Sequence, residues 1–274
     1  MKRKGGLKAF AGIVLVFGLM LVCVQTIYAA QENDNNKWQF SVMPYLWLPS
    51  INGDLRFSVP EGSDGPSSVE IGPNDYLGSL NFALMLRGEA RKNKWAAFTD
   101  LIYLDVSGES SSVKTLSGPG GKIEKPVDTG TKIGLSGLLW QLAGSYNVAD
   151  SNSVTLDIIG GARYFGVKSS VDWDINAQNV TRSGRLSETE DLFDVIVGVR
   201  GKVGLGKNWF IPYYLDIGTG SSVVTTEGTV GIGYAFKWGD ALFAYRYLYY
   251  TQDGNKLLDN FSMSGPGLGV NFRF

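Results

Sequence analysis

The chain has 274 residues, a net charge of −1, 36 glycines, one cysteine and no histidine. That charge offers no electrostatic case for a nucleic-acid partner. The missing histidine removes Ser-His and Cys-His nucleophile pairs, histidine metal sites and the usual near-neutral proton shuttle. Glycine at this level argues against a helical protein, because each one weakens a helix interior by about 1 kcal/mol.

Lys2, Arg3, Lys4 and Lys8 precede an apolar run over 10–24, followed by Gln25-Thr26-Ile27-Tyr28-Ala29-Ala30. The run is shorter than the roughly 20 residues a spanning helix needs. Residues 1–30 therefore read as a secretory signal cleaved after Ala29 or Ala30, with a retained membrane anchor as the alternative. Cys23 follows Val22, not the small residue of a lipoprotein site, so it leaves with the signal and no thiol or disulfide remains. Four basic residues and no acidic one leave with it, taking the net charge from −1 to −5.

Residues 31–274 show alternation in place of helical periodicity. From Phe193 to Val203 the odd positions are apolar or glycine, while the even ones include Asp194, Arg200 and Lys202. Leu156, Ile158, Ala162 and Tyr164 share one face of the next example, and Thr155, Asp157 and Arg163 the other. This is the pattern of strands with one apolar and one polar side. Ten such segments are predicted, over 38–48, 80–91, 95–106, 131–148, 153–168, 188–203, 209–220, 224–238, 241–251 and 261–274. Most exceed the 5–6 residues usual in soluble proteins and match the 9–11 of a tilted membrane-crossing strand.

The connections alternate as well. Those at 92–94, 149–152, 204–208 and 239–240 are short, whereas 49–79, 107–130 and 169–187 are long, polar and rich in Gly and Ser; 221–223 and 252–259 fall on the long side by parity. Short turns at one rim and long loops at the other predict an all-β, antiparallel, up-and-down outer-membrane β-barrel of about ten strands. Eight or twelve are the fallback counts, an extra hairpin starting at Asp54–Val59 being the route to twelve. Trp38, Trp95, Tyr146, Trp209, Trp238, Phe272 and Phe274 all fall at the short-turn rim, as an interfacial girdle would. The final strand is expected to end at the interface and to pair with the first, because lipid cannot solvate an open edge.

The opening "WQFSVMPYLWLPSINGDL", the internal "GYAFKWGD" and the terminal "GVNFRF" resemble a group of uncharacterised proteobacterial outer-membrane β-barrel proteins over nearly the whole mature chain. The resemblance implies fold and location and brings no catalytic residue with it. The alternating tail Val270, Phe272 and Phe274 resembles the C-terminal signal of bacterial outer-membrane proteins, which implies the barrel-assembly machinery as a partner. Outer-membrane lipids and lipopolysaccharide are the other expected partners of a monomeric barrel, with no nucleic acid and no cofactor.

With the apolar faces toward lipid, the lumen-lining residues are Arg87, Glu89, Asp100, Gln141, Asp157, Arg163, Asp194, Arg200, Asp216, Glu227 and Arg246. The reverse assignment would place carboxylates in hydrocarbon. Acids and bases either pair and fill the lumen or line a narrow aqueous path. Ten strands lie near the size at which side chains, here including Phe98 and Phe165, fill a barrel.

Pro44, Pro212 and Pro266 fall within predicted strands, and proline has no N–H for a ladder. Pro44 and Pro266 would face the seam between the first and last strands, where they make either a harmless bulge or a seam that opens to lipid. A bulge at Pro44 would turn Tyr45 and Trp47 toward lipid. Enzymatic signals are weak. Ser111-Ser112-Val113-Lys114 matches an S-x-x-K spacing within a Ser-rich loop, and Asp172-Trp173-Asp174-Ile175-Asn176 opens like a calcium loop but continues with Ala177 where glycine is needed. A looser divalent-cation contact there remains as an alternative. The G-x-G string Gly231-Ile232-Gly233 alternates within a strand, with its glycines inward, and is no phosphate cradle. The expectation is a non-enzymatic outer-membrane barrel, either a narrow porin-like channel for small solutes or ions, or a closed structural or surface-interaction barrel acting through its long extracellular loops.

Overall fold

A computed structural model describes residues 37–55, 67–108, 132–151, 153–177, 180–252 and 258–274. The signal segment with Cys23, the Ser111–Lys114 motif and the whole of 56–66 and 109–131 lie outside the described residues.

Twelve strands follow in order: β1 (Gln39–Trp47), β2 (Ser50–Leu55), β3 (Ser67–Ile71), β4 (Leu80–Lys92), β5 (Trp95–Gly108), β6 (Lys132–Asp150), β7 (Val154–Ala177), β8 (Val180–Gly206), β9 (Trp209–Gly220), β10 (Val224–Ala235), β11 (Gly239–Thr251) and β12 (Leu258–Arg273). A single-turn helix α1 (Pro73–Tyr76) and a 3-10 turn (Leu77–Ser79) link β3 to β4. No helix among the described residues is long and apolar enough to cross a membrane. β1 and β4–β12 form a closed antiparallel barrel of ten strands, with β12 returning to pair with β1. The extra hairpin exists. It starts at Ser50, before the expected Asp54, and β2 and β3 extend the sheet beside upper β12.

Alternation along the strands decides which side meets lipid. Val195, Val197, Leu215, Ile217, Val230 and Leu268 are all more than half exposed, while their neighbours Asp194, Ile196, Asp216 and Gly267 point inward. A soluble domain does not display so wide an apolar belt. At the short-turn rim the aromatics form a girdle of three groups: Trp38 and Phe274 both stack on Phe40, Trp95 packs on Tyr146, and Trp209, Tyr234, Phe236, Trp238 and Phe272 follow in an unbroken series. Phe82 with Tyr103 and Tyr247 with Tyr249 mark the other side. A closed, even-stranded barrel with an apolar outer belt between aromatic rims is the architecture of the bacterial outer membrane, and that is where the chain resides.

Three expectations need correction. The long loop expected over 169–187 is mostly a ladder: β7 and β8 pair from Val154 opposite Val203 to Ala177 opposite Val180. Val171-Asp172-Trp173-Asp174-Ile175-Asn176 carries the period-2 alternation of a strand. Asp172 and Asp174 thus stand in register with Arg185 and Ser183 in a hairpin, not in a loop wound about a cation. β10 ends at Ala235, so Trp238 sits in the turn and Gly239 begins β11. Pro44 makes no bulge: positions 41, 42, 45, 46 and 47 keep one register with β12. Tyr45 and Trp47 therefore turn into the barrel, with Trp47 buried.

The two-residue turns follow local chemistry. Lys207 and Asn208 both adopt positive φ (49° and 72°), as does Asn93 (54°), the twist that suits tight hairpins.

Phe40 and Phe274 exchange two backbone bonds across the closing seam, so the adjacent facing pair, Ser41 and Arg273, is not hydrogen-bonded. Cysteines at Ser41 and Arg273 are expected to oxidise to a disulfide in the folded barrel, read as a reductant-sensitive change in gel mobility; two free thiols under the same oxidation would refute this register.

Candidate functional site: the interior of the barrel

The inward faces form three layers. Nearest the short-turn rim is a vestibule of about 840 Å³, lined among others by Glu89, Arg91, Asp157, Arg200, Lys202 and Asp240, which reaches up to Tyr45, Arg87, Tyr214 and Arg246 and, along β1, to Trp47. Glu89, Arg91, Asp157 and Arg200 pair with one another, while Lys202 lies over the Phe210 ring. Arg200 Nη1 lies 2.8 Å and Arg91 Nε 3.0 Å from Glu89, and Arg91 also bonds Asp157, which accepts a 2.8 Å bond from Asn147. The Arg200 guanidinium lies 4.1 Å above the Phe98 ring.

Above it a belt of three arginines and three carboxylates crosses the bore. Arg87 and Arg246 hold Asp100 from two sides, at 2.8 and 3.1 Å. Arg246 also grips Glu227 through Nε and Nη2, at 2.9 and 3.0 Å. Glu227 is shared with Arg163, 2.8 Å away, which bonds Asp216, Gln141 and Thr225 as well. Tyr214 donates to Asp216 and accepts from Gln141, and Tyr45 donates to Asp100 at 2.5 Å. These residues come from β1, β4, β5, β6, β7, β9, β10 and β11. Arg163 and Glu227 are both fully buried. Arginine suits the place because its planar fork serves several acceptors at once. Each charge is compensated, which a water-poor interior requires.

The third layer, toward the long-loop rim, is apolar. Trp47, Met85, Ile102, Leu139, Phe165, Leu192, Leu248, Tyr250, Phe261 and Met263 form one buried cluster. Phe165 stacks on both Tyr250 and Phe261, with ring centroids 5.4 and 5.5 Å apart. On β12 the inward positions opposite Tyr45 and Trp47 are Gly269 and Gly267. A Cβ at Gly269 would stand 3.1 Å from that of Tyr45, so glycine is what lets the phenol reach the belt.

All the residues expected on the inner face point inward, but they do not form one site. Arg87, Asp100, Gln141, Arg163, Asp216, Glu227 and Arg246 meet in the belt. Glu89, Asp157 and Arg200 belong to the vestibule. Asp194 stands apart and accepts two bonds from Ser222, at 2.8 and 2.9 Å. Sequence reasoning missed Tyr45, Arg91, Tyr214 and Thr225. Arg91 shares the parity of Arg87 and Glu89, Tyr214 that of Asp216, and Thr225 that of Glu227, so that signal was present.

No protein-family model matches the chain, and no curated protein matches it. Among solved structures it is similar to the outer membrane protease OmpT from Escherichia coli, at 8% identity over 87% of this chain and 97% of that one, with a TM-score of 0.46. It is similar to the translocator domain of the autotransporter NalP from Neisseria meningitidis, at 16% identity over 97% and 98%, TM-score 0.40. A third likeness is to Ail, the attachment invasion locus protein of Yersinia pestis, at 12% identity over 86% and 98%, TM-score 0.32. Likenesses this distant carry no functional meaning, and the fold rests on the strand pairing itself.

Arg163→Ala would leave Asp216 and part of Glu227 buried without their cation. It is expected to cost about 3–5 kcal/mol, measured as a shift in the urea midpoint of the heat-modifiable folded band. Arg163→Met combined with Asp216→Asn removes one charge of each sign and should recover much of that loss.

Proposed function

We propose that this chain is a closed outer-membrane barrel whose lumen is a filled structural core, and that it works at its extracellular end as a surface-interaction barrel. The observation that carries the reading is the belt, where Arg163, shared among Glu227, Asp216, Gln141 and Thr225, and Arg246, shared between Glu227 and Asp100, tie opposite walls together across the bore. The apolar layer above it supports the same reading, since ions entering from outside would meet packed apolar side chains before reaching the belt. A narrow porin-like channel would require both layers to move aside. The vestibule then serves as a wet recess on the periplasmic side.

The chain's lack of histidine supports a non-enzymatic role. The resemblance to proteobacterial outer-membrane barrels fits this reading, as does a terminal Val270, Phe272 and Phe274 handed to the assembly machinery. Lipopolysaccharide and outer-membrane lipids surround the apolar outer face of a monomer. The 56–66, 109–131 and 253–257 segments, through which such a barrel would engage partners, lie outside the described residues.

Mature protein refolded into a planar bilayer, on material whose gel shift shows it folded, is expected to be electrically silent. Discrete, reproducible openings would overturn the closed-barrel reading and restore the channel.

A further inference from the structure

One stretch of the wall is held far more loosely than the rest. β1 pairs with β4 from Gln39 opposite Arg91 up to Pro44 opposite Leu86, and no further. β4 continues upward for six more residues, to Leu80, paired only with β5 on its other side. Beyond Pro44 the chain leans toward β12, and β2 then pairs with β12 and β3. No strand among the described residues bridges β3 and upper β4. The wall therefore splays into a V with its apex at Pro44 and Leu86.

The other edge of this stretch is weakened too. Bonded positions on the β1–β12 seam step by two from Phe40 and Phe274. That step makes Pro44 and Pro266 the two positions whose missing N–H belonged to this seam. Leu48 N–H still donates to Pro266 O, at 3.0 Å, but nothing can return from Pro266. Pro44 to Pro49 is thus a flap of backbone with a depleted ladder on one side and none on the other.

What closes the V is side chain, not ladder. The Trp47 backbone N–H, which faces β4, donates to the Met85 thioether at 3.0 Å in place of a carbonyl. Trp47 Nε1 donates to Gly265 O at 3.1 Å. At the top, the Tyr76 hydroxyl of α1 donates to Pro49 O at 3.0 Å. Tyr76 lies outside the spanning strands, and burial pushes its phenol up to about 12, so it stays a donor at ordinary pH.

Trp47 and Met85 are also members of the apolar interior layer. Two of the side chains that close the break, Trp47 and Met85, thus belong to the apolar interior, at the height of the outer leaflet. Below the apex, where the wall is fully laddered, the interior holds the charged belt and vestibule with a small apolar cluster of Phe98, Ala143, Ile159 and Tyr214 between them. Gln252, two residues beyond Tyr250, is buried with neither amide atom hydrogen-bonded among the described residues.

We propose that the V between β1–β2 and upper β4 is a lateral portal, through which an acyl chain of an outer-leaflet lipid enters the apolar layer as Trp47 and Met85 swing aside. The occupant follows from location. The break faces hydrocarbon, so lipid chains are the species present there at highest concentration, and the side chains behind it, which must part to admit one, are apolar. The Gln252 amide suits the ester group that trails such a chain. Tyr76 is the latch, a positioning residue that holds the flap through Pro49.

The test is photolabelling. Mature protein is refolded into phosphatidylethanolamine vesicles containing a phospholipid with a diazirine on one acyl chain, irradiated, digested and mapped by mass spectrometry. Outward residues such as Val195 and Ile217 are labelled in any case and serve as the internal standard. The proposal expects adducts on the interior residues Met85 and Phe261 as well, increased relative to that standard in Tyr76→Phe, while Ile159, inside but below the belt, stays unlabelled. Adducts confined to outward residues in both proteins would overturn it. Equal labelling of Ile159 would also overturn it, because the chain would then be reaching the interior by general loosening and not by this route.

Discussion

Hydrocarbon offers the backbone no hydrogen-bond partner, and everything else in this molecule follows from meeting that constraint. Strands can meet it only by closing on themselves, so β12 must find β1, although the two lie at opposite ends of the described chain. Closure in turn divides every strand into a lipid face and an inner face. The Val195, Val197 and Ile217 side must then be apolar, and the Asp194, Ile196 and Asp216 side becomes the place where polar groups can go.

The inner face is where the charges pay for their burial. Asp100, Asp216 and Glu227 are each held by at least one arginine, and Arg163 and Arg246 each hold two carboxylates. Such an array is a weak source of net stability, because desolvation offsets much of the Coulombic gain. It does something an apolar filling would not. Each member has partners on other strands, so a strand slipped by one residue would break the set and send its charges into lipid. Glycines on β12 complete the arrangement by leaving space for Tyr45 beside the belt.

The same constraint explains why one seam stands out. Elsewhere ladders run the length of the wall, most fully between β7 and β8. Between Pro44 and Pro49 the ladder is depleted on one side and absent on the other, and Trp47, Met85 and Tyr76 take its place. Side-chain contacts have alternative rotamers in a way that a ladder does not, and they stand here in front of the apolar part of the interior.

Much of this was legible in the chain itself. Alternation is local, so the ten barrel strands, the inward parity of Arg163 or Glu227 and the girdle of Trp38, Trp95 and Trp209 could be read directly. So could the sharing of one seam by Pro44 and Pro266. The extension of β7 and β8 was misread because Ser, Asp and Asn suggest loops, although the alternation continued through them. Which charges meet was not legible. Arg163 and Glu227 are 64 residues apart, and Arg246 and Asp100 are 146 apart. Their meeting depends on shear and register summed around the whole barrel. The departure of β1 from β4 above Pro44 was hidden for the same reason. By itself the sequence determined the strands, their faces and the membrane they span, because those depend on neighbours one and two residues away. Only the tertiary structure decided that the lumen is bridged and where the wall is thin, because both depend on what the closed ring brings together.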